Sequence, residues 1–504
     1  MSELTPAAGI VPQKSRYPKS VPFIIGNEAA ERFSFYGMRS ILVTFLVAQF
    51  YNPLGSKDPS VISSAEAHAN ASTHFFVMLA YALPFVGGIV ADWFTGKYKI
   101  ILYISLVYCL GHLFLALFDQ NLSGFTAGLI LVAIGAGGIK SCVSANVGDQ
   151  FDATNQDLLS KVYSWFYFSI NAGSMISTVL IPEVYEHYGA KWAFGIPGVL
   201  MGLATIIFFS GRKMYVRVPP SGVNRDNFVF ISFYALTHTS KKKKGDHWLD
   251  VAKEAHNPER VDGVKAVYRV MAVFFFALAF WAVWDQNLSE WVLQAEKMNR
   301  TISMGSFSFT MLAGQVQTFN PVFLLIFIPL FNYWLYPYLD SIGLKTTPLR
   351  RLGAGLVLTA LSFVIIALIQ ANIEAGGTPS IWWQIFAYVV LSAAEVLVSI
   401  TGLEYAYTHS PKSMKSTMTA IWLLVVSLGN LFTGMVNDNI ANKGFLAPYL
   451  SDTTHYYWFF VGIVTIFTIA FMFVSPRLKE HNYITNPYVD PPVLNKAIAD
   501  TDNL

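Results

Sequence analysis

Apolar residues run along this chain in long blocks, without the short alternation of strands. Twelve mostly apolar stretches recur, near 22–50, 73–92, 99–118, 124–146, 162–185 and 192–211, then near 267–288, 319–339, 352–371, 381–407, 414–436 and 455–474. About 20 helical residues cross about 30 Å of hydrocarbon, so each block is predicted to be a membrane-spanning helix. The polar stretch 216–267 holds no such run and separates six blocks from six. The expected organisation is an amino-terminal segment at 1–20, a six-helix bundle at 21–211, a linker at 212–266, a second bundle at 267–475 and a tail at 476–504. Within the linker, HWLDVAKEAHNPERVDGVKAVYRV reads as a short amphipathic helix leading into the seventh block. The fold class is therefore an all-α membrane protein.

Composition agrees, with 54% hydrophobic residues, 13% charged residues and a mean hydropathy of +0.45. The polar opening MSELTPAAGIVPQKSRYPKS lacks the apolar core of a signal peptide. Lys97, Lys99, Arg350, Arg351, Lys412, Lys415, Arg477 and the KKKK run at 241–244 fall on one side of the membrane, against Lys57, Lys191, Lys297, Arg300 and Lys443 on the other. The positive-inside rule then puts both termini and the linker in the cytoplasm, with KKKK read as a solvated loop. A net charge of +3 suggests no nucleic-acid partner. With no zinc spacing or phosphate loop in view, neither metal nor cofactor is expected. Cys109 and Cys142 both fall in predicted helices, which implies no disulfide framework.

Against this apolar background, the first block carries GNEAAERFSFYGMRS, with Glu28, Glu31, Arg32 and Arg39. A charge at mid-bilayer costs about 2.5–3.5 kcal/mol on the insertion scale. At 100° per residue, Glu28, Glu31, Arg32, Phe35, Tyr36 and Arg39 share an arc of about 140°, with Ser34 off it. That face must meet protein or water. A structural ion-pair cluster is one reading. Buried pairs rarely repay their desolvation, however, and four charges on one face favour function. Candidate partners lie on other blocks: Lys140 in IGAGGIKSCVSANVGDQF, Tyr167 and Asn171 in SWFYFSINAGSM, His74 and Tyr81 seven apart, Trp281 and Asp285 in FWAVWDQ, and Asn320 in QVQTFNPVF. Glu395 and Glu404 in the tenth block are nine apart and lie on opposite faces of a straight helix, so only one is expected to face a cavity. The two halves also echo each other. GGIVADWFTGKYK and YPYLDSIGLKTTPLRR each run from Asp through Gly to a basic cluster at the equivalent turn. With six helices in each half, this pattern resembles the major facilitator superfamily, whose two six-helix bundles rock about a midplane site.

The helix 1 motif EAAERFSFYG, the helix 4–5 stretches GGIKSCVSANVGDQF and FYFSINAGS, and HWLDVAKE, FWAVWDQ, QVQTFNP and SITGLEYAYTHSPKSMKS together resemble the proton-coupled oligopeptide transporters, over about residues 20–480. They are most similar to the di- and tripeptide carriers. The resemblance implies a symporter of peptide and protons in the bilayer of a cell inner membrane, working as a monomer and catalysing no reaction. It implies proton coupling through Glu28, Glu31, Arg32, His74 and Glu404. It places the peptide carboxylate at Arg39 and Lys140 beside Tyr36 and Tyr81. Asn171, Asn320 and Glu404 would take the amino terminus or backbone, with Tyr167 in the same site and Trp281 walling a side-chain pocket. Arg39 and Asp285 would pair across the bundles as a gate. For coupling, Glu28 is expected to pair with Lys140 and Glu31 with Arg32.

The sequence also departs from the family pattern. Phe35 stands where a tyrosine is common, and Glu290 follows DQNLS where a basic residue is common. Asn332 replaces an acid, which weakens any ion pair from Arg269, and the loop ANIEAGGTPS is short. Two rival readings are an anion carrier of the same superfamily, such as a nitrate symporter, and a membrane receptor or enzyme. Glu404, expected in the cavity, speaks against the first, because a buried carboxylate repels an anion that has no amino terminus. The second lacks any nucleophile–base or metal spacing.

Overall fold

A computed structural model describes residues 16–478, apart from 153, 156, 157, 244, 306, 412 and 413. Most of the amino-terminal segment and of the tail, together with Lys244 and Lys412, lie outside the described residues. Twelve long helical stretches follow one another. The first six are α1 Val21–Tyr51, α2 Pro59–Thr95, α3 Lys97–Leu117, α4 Leu122–Gly148, α5 Leu159–Tyr188 and α6 Ala190–Lys213. The second six are α7 Pro258–Glu296, α8 Ala313–Ser341, α9 Pro348–Glu374, α10 Ile381–Thr408, α11 Lys415–Ala441 and α12 Thr453–Arg477. Eleven are long and apolar enough to cross a membrane. α5 matches them in length but is interrupted by polar residues such as Ser169, Asn171 and Ser174.

Local chemistry sets the boundaries. α2 begins at Pro59, well before the apolar run, because Asp58 accepts the Ser60 N–H at 2.8 Å and the Ala/Ser-rich turns that follow tolerate helix. The amphipathic helix expected in the linker is instead divided. Trp248–Glu254 forms a 3₁₀ turn, and Pro258 already opens α7, capped by Asn257 on the Glu259 N–H at 2.9 Å. Proline cannot supply the amide that a continuing helix needs, so the chain restarts there. The sequence reading also missed an apolar helix at Phe228–Thr237 and an antiparallel hairpin pairing Thr301–Met304 with Phe307–Thr310. In the linker, burial works against ionisation of Asp250, but hydrogen bonds from Lys265 and Lys253 prevail and hold its carboxyl below the usual range.

α1 packs on α5 and α6, α3 on α4 and α6, and α2 on α4. In the second half, α9 packs on α10 and α12, α7 on α11 and α12, and α8 on α10. The halves meet along α2–α11 and α5–α8. Large apolar side chains such as Leu110, Leu113, Leu203, Ile206, Leu368 and Phe473 point outward, as a lipid-facing surface requires. Because spans alternate in direction, residue 21, the linker and residue 477 share one end, called here the linker end. The turns α1–α2, α7–α8 and α9–α10 lie at the far end. The fold is all-α and membrane-spanning with six helices in each half, the layout expected of a major facilitator.

Candidate functional site

α1 presents the face read from its sequence. Arg32 Nε donates to Glu28 Oε1 at 2.7 Å and lies 3.1 Å from Glu31 Oε2, without the alignment of a second hydrogen bond. The expected Glu28–Lys140 pair does not form, because Arg32 one turn along the same helix already occupies Glu28. Lys140 Nζ instead sits 3.8 Å from the centre of the Tyr81 ring and 4.7 Å from that of Phe35, with no hydrogen-bond partner. Cation–π attraction holds it there. Glycine makes that position reachable: a Cβ on Gly87 would come within 2.9 Å of Gly138 Cα, so α2 and α4 cross in near backbone contact. Ser34, off the ionic arc, donates to Pro197 O on α6 at 2.7 Å.

Towards the far end, Arg39 Nη2 donates to Asp285 Oδ1 at 2.8 Å, joining the two bundles through fully buried side chains. Asn430 Nδ2 donates to Asp285 Oδ2 at 2.6 Å, and Asn430 Oδ1 lies 2.8 Å from His74 Nδ1. His74 Nε2 lies 3.1 Å from Ser289 Oγ, which continues the network from α11 through α2 to α7. Other bonds close the same end, with Gln315 donating to Glu183 at 2.7 Å and Thr178 meeting Thr318 at 2.9 Å. Arg39 keeps Nε and Nη1 without a protein partner.

In the second bundle the tenth-helix carboxylates part company. Glu395 accepts from Trp284 Nε1 and from Asn320 Nδ2, each at 2.8 Å, and Asn320 also reaches Ser392 Oγ at 3.1 Å. No cation pairs with Glu395 among the described residues. Glu404 does not share this cavity. Its side chain is 44% exposed at the linker end and pairs with Arg351 at 3.1 Å. Nine residues of helix advance about 13 Å, and the π-turn Val396–Ile400 shifts the register between the two acids. The pair repeats that of Lys97 with Asp149, 2.8 Å apart at the equivalent turn of the first half.

The other expected residues fall out as follows. Asn320 joins Glu395, as above. Trp281 is buried against Trp284 and Trp422, with Nε1 free of protein partners. Tyr36 packs edge-on to Phe35, within electrostatic reach of Arg32, Arg39, Glu395 and Asp285, and so lies between the bundles. Asn171 directs Nδ2 to its own helix at Tyr167 O, 2.9 Å away, and Tyr167 is 41% exposed. Arg269 and Asn332 are exposed, and Arg269 has no ion pair among the described residues. The sequence reading passed over Trp284, Ser289 and Asn430. Trp284 could have been found from its spacing, one turn beyond Trp281. Cys109 and Cys142 are free thiols.

The POT family profile matches residues 98–459. Human solute carrier family 15 member 2 is 35% identical over 412 residues, covering 77% of this chain and 54% of the relative. This chain therefore spans about half the length of the curated relatives it matches. Among solved structures, the POT family transporter PepTSo is 35% identical with a TM-score of 0.83, covering 92% of this chain and 99% of that one. An auto-inhibited POT family peptide transporter is 34% identical with a TM-score of 0.84, covering 94% and 99%. With the profile over most of its length and the same fold across nearly all of it, this chain belongs to the POT family.

Proposed function

We propose that the protein is a proton-coupled symporter that carries di- and tripeptides across a cell membrane by alternating access, as a monomer whose linker end faces the cytoplasm. The carrying observation is the division of charge. Lys140 and the free edge of Arg39 belong to the first bundle, while Glu395, held only by neutral donors, belongs to the second. A peptide zwitterion complements both, carboxylate to the cations and amino terminus to Glu395, and so draws the bundles together. A small anion leaves the carboxylate facing nothing. The role first given to Glu404 therefore passes to Glu395. Names of relatives such as peptide transporter 3 of Caenorhabditis elegans support the substrate class, and membership of a transporter family favours a carrier over an enzyme.

The test compares Glu395→Gln with Glu404→Gln, using dipeptides with free and blocked amino termini. Glu395→Gln is expected to weaken free peptides by roughly 1.5–3 kcal/mol, the worth of a charge-assisted bond, and to leave blocked ones nearly unchanged. Glu404→Gln is expected to affect both kinds alike. Equal weakening of both kinds by Glu395→Gln would remove it from this role.

A further inference from the structure

Beyond the charged face of α1, a second carboxylate pair spans the bundles at the far end. Glu290, where the family pattern has a base, is 6% exposed, and its carboxylate takes a hydrogen bond from Asn70 Nδ2 of α2. It has no ion pair among the described residues. One turn before Asn70, Glu66 is paired through Oε1 with Lys297 at 2.7 Å, and Lys297 directly follows α7. Both contacts cross from the first bundle to the second. Glu66 and Glu290 line one small cavity with Ser63, Asn437 and Tyr456. Ser289, next in sequence to Glu290, touches His74, so the cavity adjoins the network that ends at Arg39–Asp285.

We propose that Glu290 is a proton-binding site that latches the far end, protonated when the bundles close over it and ionised when they part. The ammonium nearest the two carboxylates, that of Lys297, is taken by Glu66. With Glu66 paired to Lys297, an ionised Glu290 would be a buried anion supported by one neutral amide, which is a costly arrangement. A proton from solvent at that end converts it to a carboxylic acid, and Asn70 serves either form. Its Nδ2 donates to the carboxylate, while its Oδ1, otherwise unpartnered, accepts from the acid once the amide turns over. Opening separates α2 from α7, exposes Glu290 to water and releases the proton to the same side. By linkage, acid then favours closure. The charged and titratable groups around Glu290 are Glu66 and His74 of α2, Glu296 and Lys297 beside it, Tyr456 and Tyr457 of α12, and Glu374 of α9 beyond Tyr457. Arg39 of α1 is engaged by Asp285, and the α11 residues that line the cavity, Asn437 and Ile440, are uncharged.

The inference rests on the alternating-access reading but not on peptide as the cargo. Its test measures the distance between spin labels on α2 and α7 at the far end, in the full chain in lipid nanodiscs without peptide, as pH is raised. The wild type is expected to open with rising pH. Glu290→Gln, neutral at every pH and still able to bond Asn70, is expected to stay closed throughout. Lys297→Met leaves Glu66 and Glu290 side by side with no cation between them and is expected to move the opening midpoint up by about one unit or more, as like charges sharing a site require. It also serves as the test if Glu290→Gln fails to fold. An unchanged profile in Glu290→Gln, or an unshifted or lowered midpoint in Lys297→Met, overturns the latch. Failure of dialanine uptake with these profiles intact would overturn the cargo and leave the latch standing.

Discussion

Arg32 is shared by two carboxylates while Lys140 has none, and that asymmetry gives the charged face of α1 its logic. Arg32 cannot deprotonate at any relevant pH, so a change of charge within the cluster must fall on Glu28 or Glu31. Protonating Glu28 would release Arg32 towards Glu31, and protonating Glu31 would leave the Glu28 bond intact, so the two acids are not equivalent. We predict that Glu28→Gln and Glu31→Gln, which mimic permanent protonation, each abolish peptide accumulation driven by a pH gradient in proteoliposomes. Exchange of peptide down its own gradient should survive in at least one. Continued accumulation in both would move coupling elsewhere, with His74 the next candidate. At this scale the sequence was informative about which residues share a face and poor about which of them touch. The shared arc of Glu28, Glu31, Arg32 and Arg39 follows from helical period alone. That Lys140 rests on two rings follows from a helix crossing that no single helix encodes.

Crossings are decided by elements, and here glycine decides the one that matters. Gly137 and Gly138 on α4 face Leu83 and Ile104, and Gly87 on α2 meets the Gly138 backbone directly. We predict that Gly87→Val lowers stability by about 1–3 kcal/mol, as overpacking does. It should also weaken peptide binding by displacing Lys140 from Tyr81. Gly202→Val, with open space around it, should do neither. Thermal unfolding in detergent and binding of a labelled dipeptide check both. If Gly87→Val matches Gly202→Val, the close crossing does not position the lysine. Elements also explain why Glu404 lies apart from Glu395. A straight tenth helix sets the two acids on opposite faces without saying which face meets the cavity, and the π-turn at Val396–Ile400 shifts the register between them. The turn pattern of the two halves held the missing signal. If Arg351 at the start of α9 corresponds to Lys97 at the start of α3, then Glu404 corresponds to Asp149, a linker-end acid with a structural partner. Boundaries such as Asp58–Pro59 and Asn257–Pro258 were also present in the sequence as caps, hidden beneath the stronger apolar signal.

For the whole molecule, the far end is closed in this structure, and Arg39–Asp285 is the deepest tie across it. Both side chains are fully buried, so removing one partner strands the other at a cost of about 3–5 kcal/mol. We predict that Arg39→Ala and Asp285→Ala each shift the equilibrium towards far-end opening, read by distances between labels on α1 and α7. Exchanging the charges, Arg39→Asp with Asp285→Arg, restores the Coulomb attraction but not the surroundings. Asn430 now donates Nδ2 to Asp285 and lends Oδ1 to His74. Facing an arginine at 285, it must turn its oxygen there and point Nδ2 at His74, which keeps the bond only if the ring proton moves from Nδ1 to Nε2 and Ser289 becomes the acceptor. The exchange should therefore recover part of the closure and not all of it. Peptide binding should stay weak in the exchanged protein, since the carboxylate would meet an aspartate at position 39. A double exchange no more closed than either alanine variant would show that the pair is packing and not a gate. Full recovery would show that the Asn430–His74–Ser289 chain serves either polarity of the pair equally well.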